Sequence, residues 1–145
     1  MIYFDTAYLA KCYLNEPGSA SVRSFAAASD ELVASCVIAR AELAAVFHRQ
    51  FREGHLSQED HQIVARQYQA DLAAGVWEWL PLDAGLWPVI ESRFREMPRS
   101  VFLRGADAIH LSCASYHGFS EVFTNDRHML AACGSFGVKG RNVIE

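Results

Sequence analysis

Apolar positions along the chain recur with two different periods. Short runs rich in β-branched or aromatic residues lie at Ile2 to Phe4, Leu32 to Ser35, Val76 to Leu80, Glu121 to Thr124 and Asn142 to Ile144, and these predict strands. Most segments between them carry apolar residues about three to four positions apart, the spacing of a helix with one buried face. Strands that alternate with helices predict a central parallel sheet covered on both faces, a three-layer α/β/α fold.

The punctuation agrees with that pattern. Gly54, Gly75 and Gly118 each follow a helical stretch, where glycine at the C-terminal end takes the left-handed conformation. Ser57 with Asp60 reads as a capping box that opens the helix closed by Gly75. Pro17-Gly18 marks a turn between two short helices. No repeat, low-complexity tract or linker divides the chain, and 145 residues is the size of one domain, so 1–145 is expected to fold as a single unit.

Composition narrows the class. With 51% hydrophobic and 21% charged residues the chain can bury a core, which excludes a disordered or fibrous protein. The start, Met1 to Leu9, has no basic leader and meets Asp5 almost at once, and no apolar run approaches the ~20 residues a bilayer needs. A cytosolic protein without a membrane segment is expected. Cys12, Cys36, Cys113 and Cys133 form no CxxC pair and read as free, mostly buried thiols.

The net charge of -4 excludes a broad basic face that would hold nucleic acid by charge alone. If four of the 17 acidic residues are ligands, the remaining 13 match the 13 Lys and Arg, and the acidity is concentrated in one place.

Four carboxylates are the candidates. Asp5 follows Ile-Tyr-Phe directly and Asp126 follows Val122 to Thr124, so both belong at carboxyl ends of strands, the edge where parallel sheets bind ligands. Each also reads as a helix N-cap, as Asp83 does in Pro-Leu-Asp-Ala-Gly. Glu42 and Asp107 sit on apolar helix faces, the first with Ile38, Ala39, Ala45 and Val46, the second with Leu103, Leu111 and Ala114. A carboxylate aimed at the core costs several kcal/mol unless a cation meets it. That cation is either an arginine or a shared metal ion. Arg40, Arg49, Arg99 and Arg104 are near in sequence; Arg40 points away from Glu42, whereas Arg49 reaches its face.

A shared divalent ion would also relieve the repulsion among four such groups. Oxygen ligands favour Mg²⁺ or Mn²⁺ over zinc, and the six histidines supply no HExxH. Cys113 with His117 is only a helical pair, and His110, on the flank of the Asp107 face, reads as a packed core histidine within reach of a site residue. Phosphate-cradling GxxxxGK[ST], dinucleotide GxGxxG and nucleophilic GxSxG motifs are all missing.

Taken together, Ile-Tyr-Phe-Asp-Thr-Ala-Tyr-Leu-Ala-Lys, Ala-Arg-Ala-Glu-Leu-Ala-Ala-Val-Phe, Arg-Gly-Ala-Asp-Ala-Ile-His-Leu-Ser-Cys-Ala and Val-Phe-Thr-Asn-Asp-Arg-His-Met-Leu resemble the PIN domain. The likeness is specifically to the VapC toxins of type II toxin/antitoxin modules, and it runs from Met1 to about Val143. It implies that Asp5, Glu42, Asp107 and Asp126 are acidic metal-binding positions, with Thr124 the hydroxyl beside the last. The family often opens with Asp-Thr-Ser; Ala7 replaces that Ser here, which leaves Thr6 as the supporting hydroxyl.

The resemblance further implies an endoribonuclease that uses Mg²⁺, with Mn²⁺ able to substitute, and that cleaves RNA by metal-activated water. Asp5 and Asp107 are expected as direct ligands, Glu42 and Asp126 as residues acting through water. A cognate antitoxin and a homodimer follow from the same likeness. Arg99, Arg104, Arg127, Lys139 and Arg141 flank the two later motifs and are the candidate phosphate-binding cations. Two other classes stand beside this reading. One is a non-catalytic module that keeps the fold and acts through protein or RNA contacts. The other is a phosphotransfer domain, which wants an acidic pair or Asp-x-Asp after the first strand where this chain has Asp5-Thr6-Ala7.

Overall fold

A computed structural model describes residues 1–144. Among them, strands and helices alternate as β1 (Ile2–Tyr3), α1 (Thr6–Tyr13), α2 (Ser19–Ala28), β2 (Val33–Cys36), α3 (Ala39–Arg52), α4 (Gln58–Ala74), β3 (Trp77–Leu80), α5 (Leu86–Glu96), α6 (Gly105–Tyr116), β4 (Glu121–Phe123), α7 (Arg127–Ala132) and β5 (Lys139–Arg141). A 3₁₀ turn, Cys133–Phe136, separates α7 from β5.

All strand pairs are parallel: β1 with β2, β2 with β3, and β4 with β5. The two pieces meet at one bridge, where Phe4 lies parallel to Phe123. The Asp5 N–H donates to the Phe123 carbonyl at 3.1 Å just beyond it. The strand order is therefore β3-β2-β1-β4-β5, and the direction of winding reverses between β1 and β4.

Alternation along each strand sorts the core into two layers. Tyr3, Ala34 and Val122 face α5, α6 and α7, where Leu86, Ile90, Leu111 and Met129 are buried. Phe4, Val33 and Phe123 face the other way, onto Tyr8 and Leu9 of α1, Val22 of α2, Leu43 and Phe47 of α3 and Tyr68 of α4. This is the three-layer arrangement expected from the alternating pattern.

Local signals act where they were read. Ser57 accepts the Asp60 N–H at 3.0 Å to open α4, and Gly75 closes that helix at φ 67°, a conformation side chains rarely adopt. Gly54 and Gly118 also have positive φ, and Gly18, at φ 85°, turns the chain into α2. The Asp83 carboxylate accepts the Gly85 N–H at 2.7 Å in the turn that leads to α5. The cysteines are free, with Cys36, Cys113 and Cys133 buried and Cys12 half-buried. Among the described residues no helix is long and apolar enough to cross a membrane.

One strand is displaced from its expected place. The last run of pairing is Lys139–Arg141, in register with Glu121 to Phe123, and not Asn142 to Ile144. Two contacts account for the shift. Asn142 turns the chain instead, its side-chain oxygen accepting the Tyr8 hydroxyl at 2.7 Å and the Ile144 N–H at 3.0 Å. Gly140 lets β5 press against α7, since a Cβ there would lie 2.8 Å from Leu130 Cδ2 and 3.3 Å from its Cα.

That close approach supports a prediction. Gly140→Ala should destabilise the fold by about 1–3 kcal/mol, because the nearest backbone belongs to a packed helix and yields poorly. Thermal unfolding checks it, and an unchanged midpoint would show that β5 does not need the contact.

Candidate active site

The carboxyl ends of β1 and β4 open onto a cleft of about 330 Å³ lined by Asp5, Thr6, Glu42, Arg49, Arg104, Asp107, His110 and Asp126, among others. It lies where strand order reverses, the position at which open parallel sheets bind ligands. A larger hollow of about 410 Å³ sits at the opposite end of the same strands, by Met1, Glu31, His117 and Glu121. Size does not decide between them; the first gathers the titratable groups.

Each carboxylate is brought there by a helix N-terminus. Asp5 caps α1, accepting the Tyr8 N–H at 2.8 Å. Asp126 caps α7, accepting from His128 N–H at 2.7 Å and Met129 N–H at 3.2 Å. Its own N–H donates to the buried Thr124 hydroxyl at 3.0 Å. Glu42 and Asp107 stand in the first turns of α3 and α6. The positive ends of the helix dipoles favour all of these placements. Cap and cleft residue are thus one role for Asp5 and Asp126, not two competing ones.

Glu42 departs from its expected position. The buried face of α3 is Ala39, Leu43 and Phe47, while Ala45 is exposed and the Glu42 side chain is 31% exposed at the edge of that face. It looks into the cleft rather than into the core. Its partner is neither Arg40 nor Arg49. The Thr6 hydroxyl donates to Glu42 Oε2, and His110 Nε2 lies 2.8 Å from the same oxygen.

His110 is buried and held from both sides. Its Nδ1 lies 2.8 Å from the Tyr3 hydroxyl, which accepts the Cys36 N–H at 3.2 Å. A neutral imidazole satisfies the chain when Tyr3 donates to Nδ1 and Nε2–H donates to Glu42. Burial pulls the His110 pKa down, but the hydrogen bond and charge of Glu42 outweigh it, and the net shift is upward. Glu42 moves the opposite way: burial pushes its carboxyl up, and His110 and Thr6 more than offset this, leaving it below its ordinary value.

For Asp5 the charge of the same histidine is too little to offset burial. Burial raises its pKa from 3.8 to about 6, against hydrogen bonds from Thr124 and the Tyr8 N–H that pull it down. The nearby Asp126 charge adds to the rise.

Asp107, 8% exposed, finds the arginine considered for it. Arg104 Nε donates to its Oδ2 at 2.8 Å, Nη2 donates to Oδ1 at 3.3 Å, and Nη2 also reaches Asp126 Oδ2 at 3.2 Å. The guanidinium thus ties the α6 carboxylate to the α7 carboxylate. Of the other candidate cations, Arg127 is exposed with Nε 3.4 Å from His128 Nε2, and Arg141 turns back to Glu121 at 3.7 Å. Lys139 begins β5 at the far end of the strand, and Arg99 is exposed before α6. Arg49, two turns after Glu42, lines the cleft although it was weighed only as an ion-pair partner.

In donor chemistry the oxygen-rich cleft fits a hard divalent cation. In position, no group of three His, Cys, Asp or Glu among the described residues is close enough to form a ready metal site, and Arg104 stands between two of the four carboxylates.

The raised Asp5 pKa carries a stability prediction. A carboxyl that titrates near 6 when folded and near 3.8 when unfolded binds its proton more tightly in the folded state. Its contribution is fully present below about pH 4 and is lost as pH rises through about 6, by about 3 kcal/mol in all. Asp5→Asn, which keeps the cap, should therefore gain on the parent between those pH values in metal-free buffer. Denaturant unfolding at pH 4 and pH 7.5 reads this directly; a gap that does not change with pH would sink it.

The PIN domain profile matches residues 2–134. No curated protein matches the chain in sequence. Among the solved structures that share its fold are two complexes. FitAcB from Neisseria gonorrhoeae has a TM-score of 0.74 at 19% identity, covering 98% of this chain and 97% of the other. FitAB bound to an IR36 DNA fragment has a TM-score of 0.73 at 18% identity, covering 100% and 96%. With the profile spanning nearly all of the strands and helices that build the cleft, the chain belongs to the PIN domain family.

Proposed function

We propose that this protein is a metal-dependent endoribonuclease, the toxin component of a toxin/antitoxin module, acting in the cytoplasm as one domain over 1–145. The observation that carries this reading is the convergence of four carboxylates, far apart in sequence, on the crevice where the sheet reverses. Family membership supports nuclease chemistry in general; RNA as substrate, Mg²⁺ as the ion, a cognate antitoxin and a homodimer rest on the finer likeness to VapC toxins.

In this mechanism Asp5 and Asp107 would hold the ion directly, and Glu42 and Asp126 would act through water. A bound divalent cation supplies polarisation of the phosphate and a more acidic water. The chain's own groups do the rest. Asp5 is ionised above about pH 6 and then free to take a cation. His110 and Thr6 fix one oxygen of Glu42, which leaves the other to orient a water toward the phosphorus. Thr124 steadies the turn that presents Asp126. Arg49 lines the cleft and can meet a backbone phosphate, since overall negative charge otherwise repels RNA.

The second reading, a non-catalytic module, has one observation on its side: Arg104 already neutralises Asp107 and Asp126 without any ion. Cleavage assays separate the two. Single-stranded RNA should be cut only with Mg²⁺ or Mn²⁺, and Asp5→Asn and Asp107→Asn should each lower the rate by about 100-fold or more, the cost of removing one preorganised electrostatic group. Circular dichroism confirms that both variants stay folded. Cleavage in the presence of a chelator, or full activity in either variant, overturns the metal-dependent nuclease reading, and no cleavage under any condition favours the non-catalytic module.

A further inference from the structure

Arg104 occupies an unusual place for a surface arginine. It immediately precedes α6, its side chain is 63% exposed, and it lines the cleft. There it makes three hydrogen bonds to carboxylates on two different helices. Those two carboxylates would otherwise repel each other across the cleft mouth. Among the described residues no third His, Cys, Asp or Glu completes a ligand set around them as they stand.

We infer that Arg104 is a built-in counter-cation that competes with the divalent ion for Asp107, and with the ion's bound water for Asp126, and swings out when the ion enters. The inference rests on the metal-dependent reading above. Three features fit it. Its hydrogen bonds are charge-assisted and nearly bidentate on Asp107, so they hold the pair in place. The exposure of the guanidinium keeps their net strength modest, as for other solvent-screened pairs, so a doubly charged ion can displace them. The side chain approaches from solvent, so leaving requires no rearrangement of the core. An apparent affinity falls by the fraction of molecules whose site is free to bind. Removing the competitor therefore strengthens metal binding, the opposite of what loss of a scaffold residue does.

The test is Mn²⁺ binding by the full chain, followed by calorimetry or by loss of the free-ion paramagnetic resonance signal, with no RNA present. Arg104→Gln should bind Mn²⁺ about 10-fold tighter than the parent or better, and Arg104→Lys should fall between them, because an ammonium cannot span two carboxylates as the planar guanidinium does. Arg49→Gln removes an equal charge from the same cleft without touching either carboxylate and sets the size of the general electrostatic effect, expected below about 3-fold. If Arg104→Gln does not fold, the Lys variant carries the comparison alone. Equal or weaker binding in the Arg104 variants overturns the inference, as does an equal gain in Arg49→Gln, and either result leaves metal-dependent cleavage standing if the parent binds Mn²⁺. If neither parent nor variants bind Mn²⁺ at millimolar concentration, the metal-dependent reading falls and this inference with it.

Discussion

A backbone hydrogen bond, from the Asp5 N–H to the Phe123 carbonyl, lies at the seam on which the site depends. Together with the Phe4 and Phe123 bridge it joins a three-stranded piece of sheet to a two-stranded one. Through it the end of β1 comes beside the end of β4, and Asp5 comes near Asp126. Helices cover both faces of that seam, with Phe4, Phe25 and Phe123 clustered below it and Tyr3 and Val122 above. The seam thus places two of the cleft's carboxylates by main-chain geometry, before any side-chain interaction is considered.

Crowding four acidic groups at one edge creates an electrostatic problem, and the structure answers it separately for each. Helix N-termini receive all four. Glu42 gains His110, which is itself anchored by Tyr3 from the strand beneath. Asp107 and Asp126 share Arg104. Asp5, the most deeply buried, has hydrogen bonds and the His110 charge, which do not offset burial, and its carboxyl gives up its proton only at about pH 6. The uneven treatment gives the four residues different properties within one cleft.

Much of this was legible in the sequence because it depends on local rules. Caps at Asp5, Ser57 and Asp126 follow from residue type and the helical pattern after them, and the layers follow from the alternation of strands and helices. Asp107 was visible as a polar group on an apolar face. Features that depend on which elements become neighbours were not legible. Nothing local shows that Tyr3 on β1 and His110 on α6 touch, or that Cys36 on β2 completes their chain of hydrogen bonds. The strand at Lys139–Arg141 reads as a polar loop, since its pairing is set by the free edge of β4 and by room against Leu130. Glu42 shows the limit of periodicity: an angular rule finds the side of a helix, but the edge of a buried face and its middle differ by less than the rule resolves.

The double service of Asp5 and Asp126 reaches beyond chemistry. The oxygen that latches α1 onto the Tyr8 N–H belongs to the same carboxylate that faces the cleft, and likewise for α7. Selection for folding alone would therefore keep a capping side chain at both positions in a descendant that had lost its activity, but asparagine would serve as well as aspartate. In chains built this way the capping oxygen testifies to the architecture, and the negative charge, which at Asp5 costs stability at neutral pH, testifies to the chemistry.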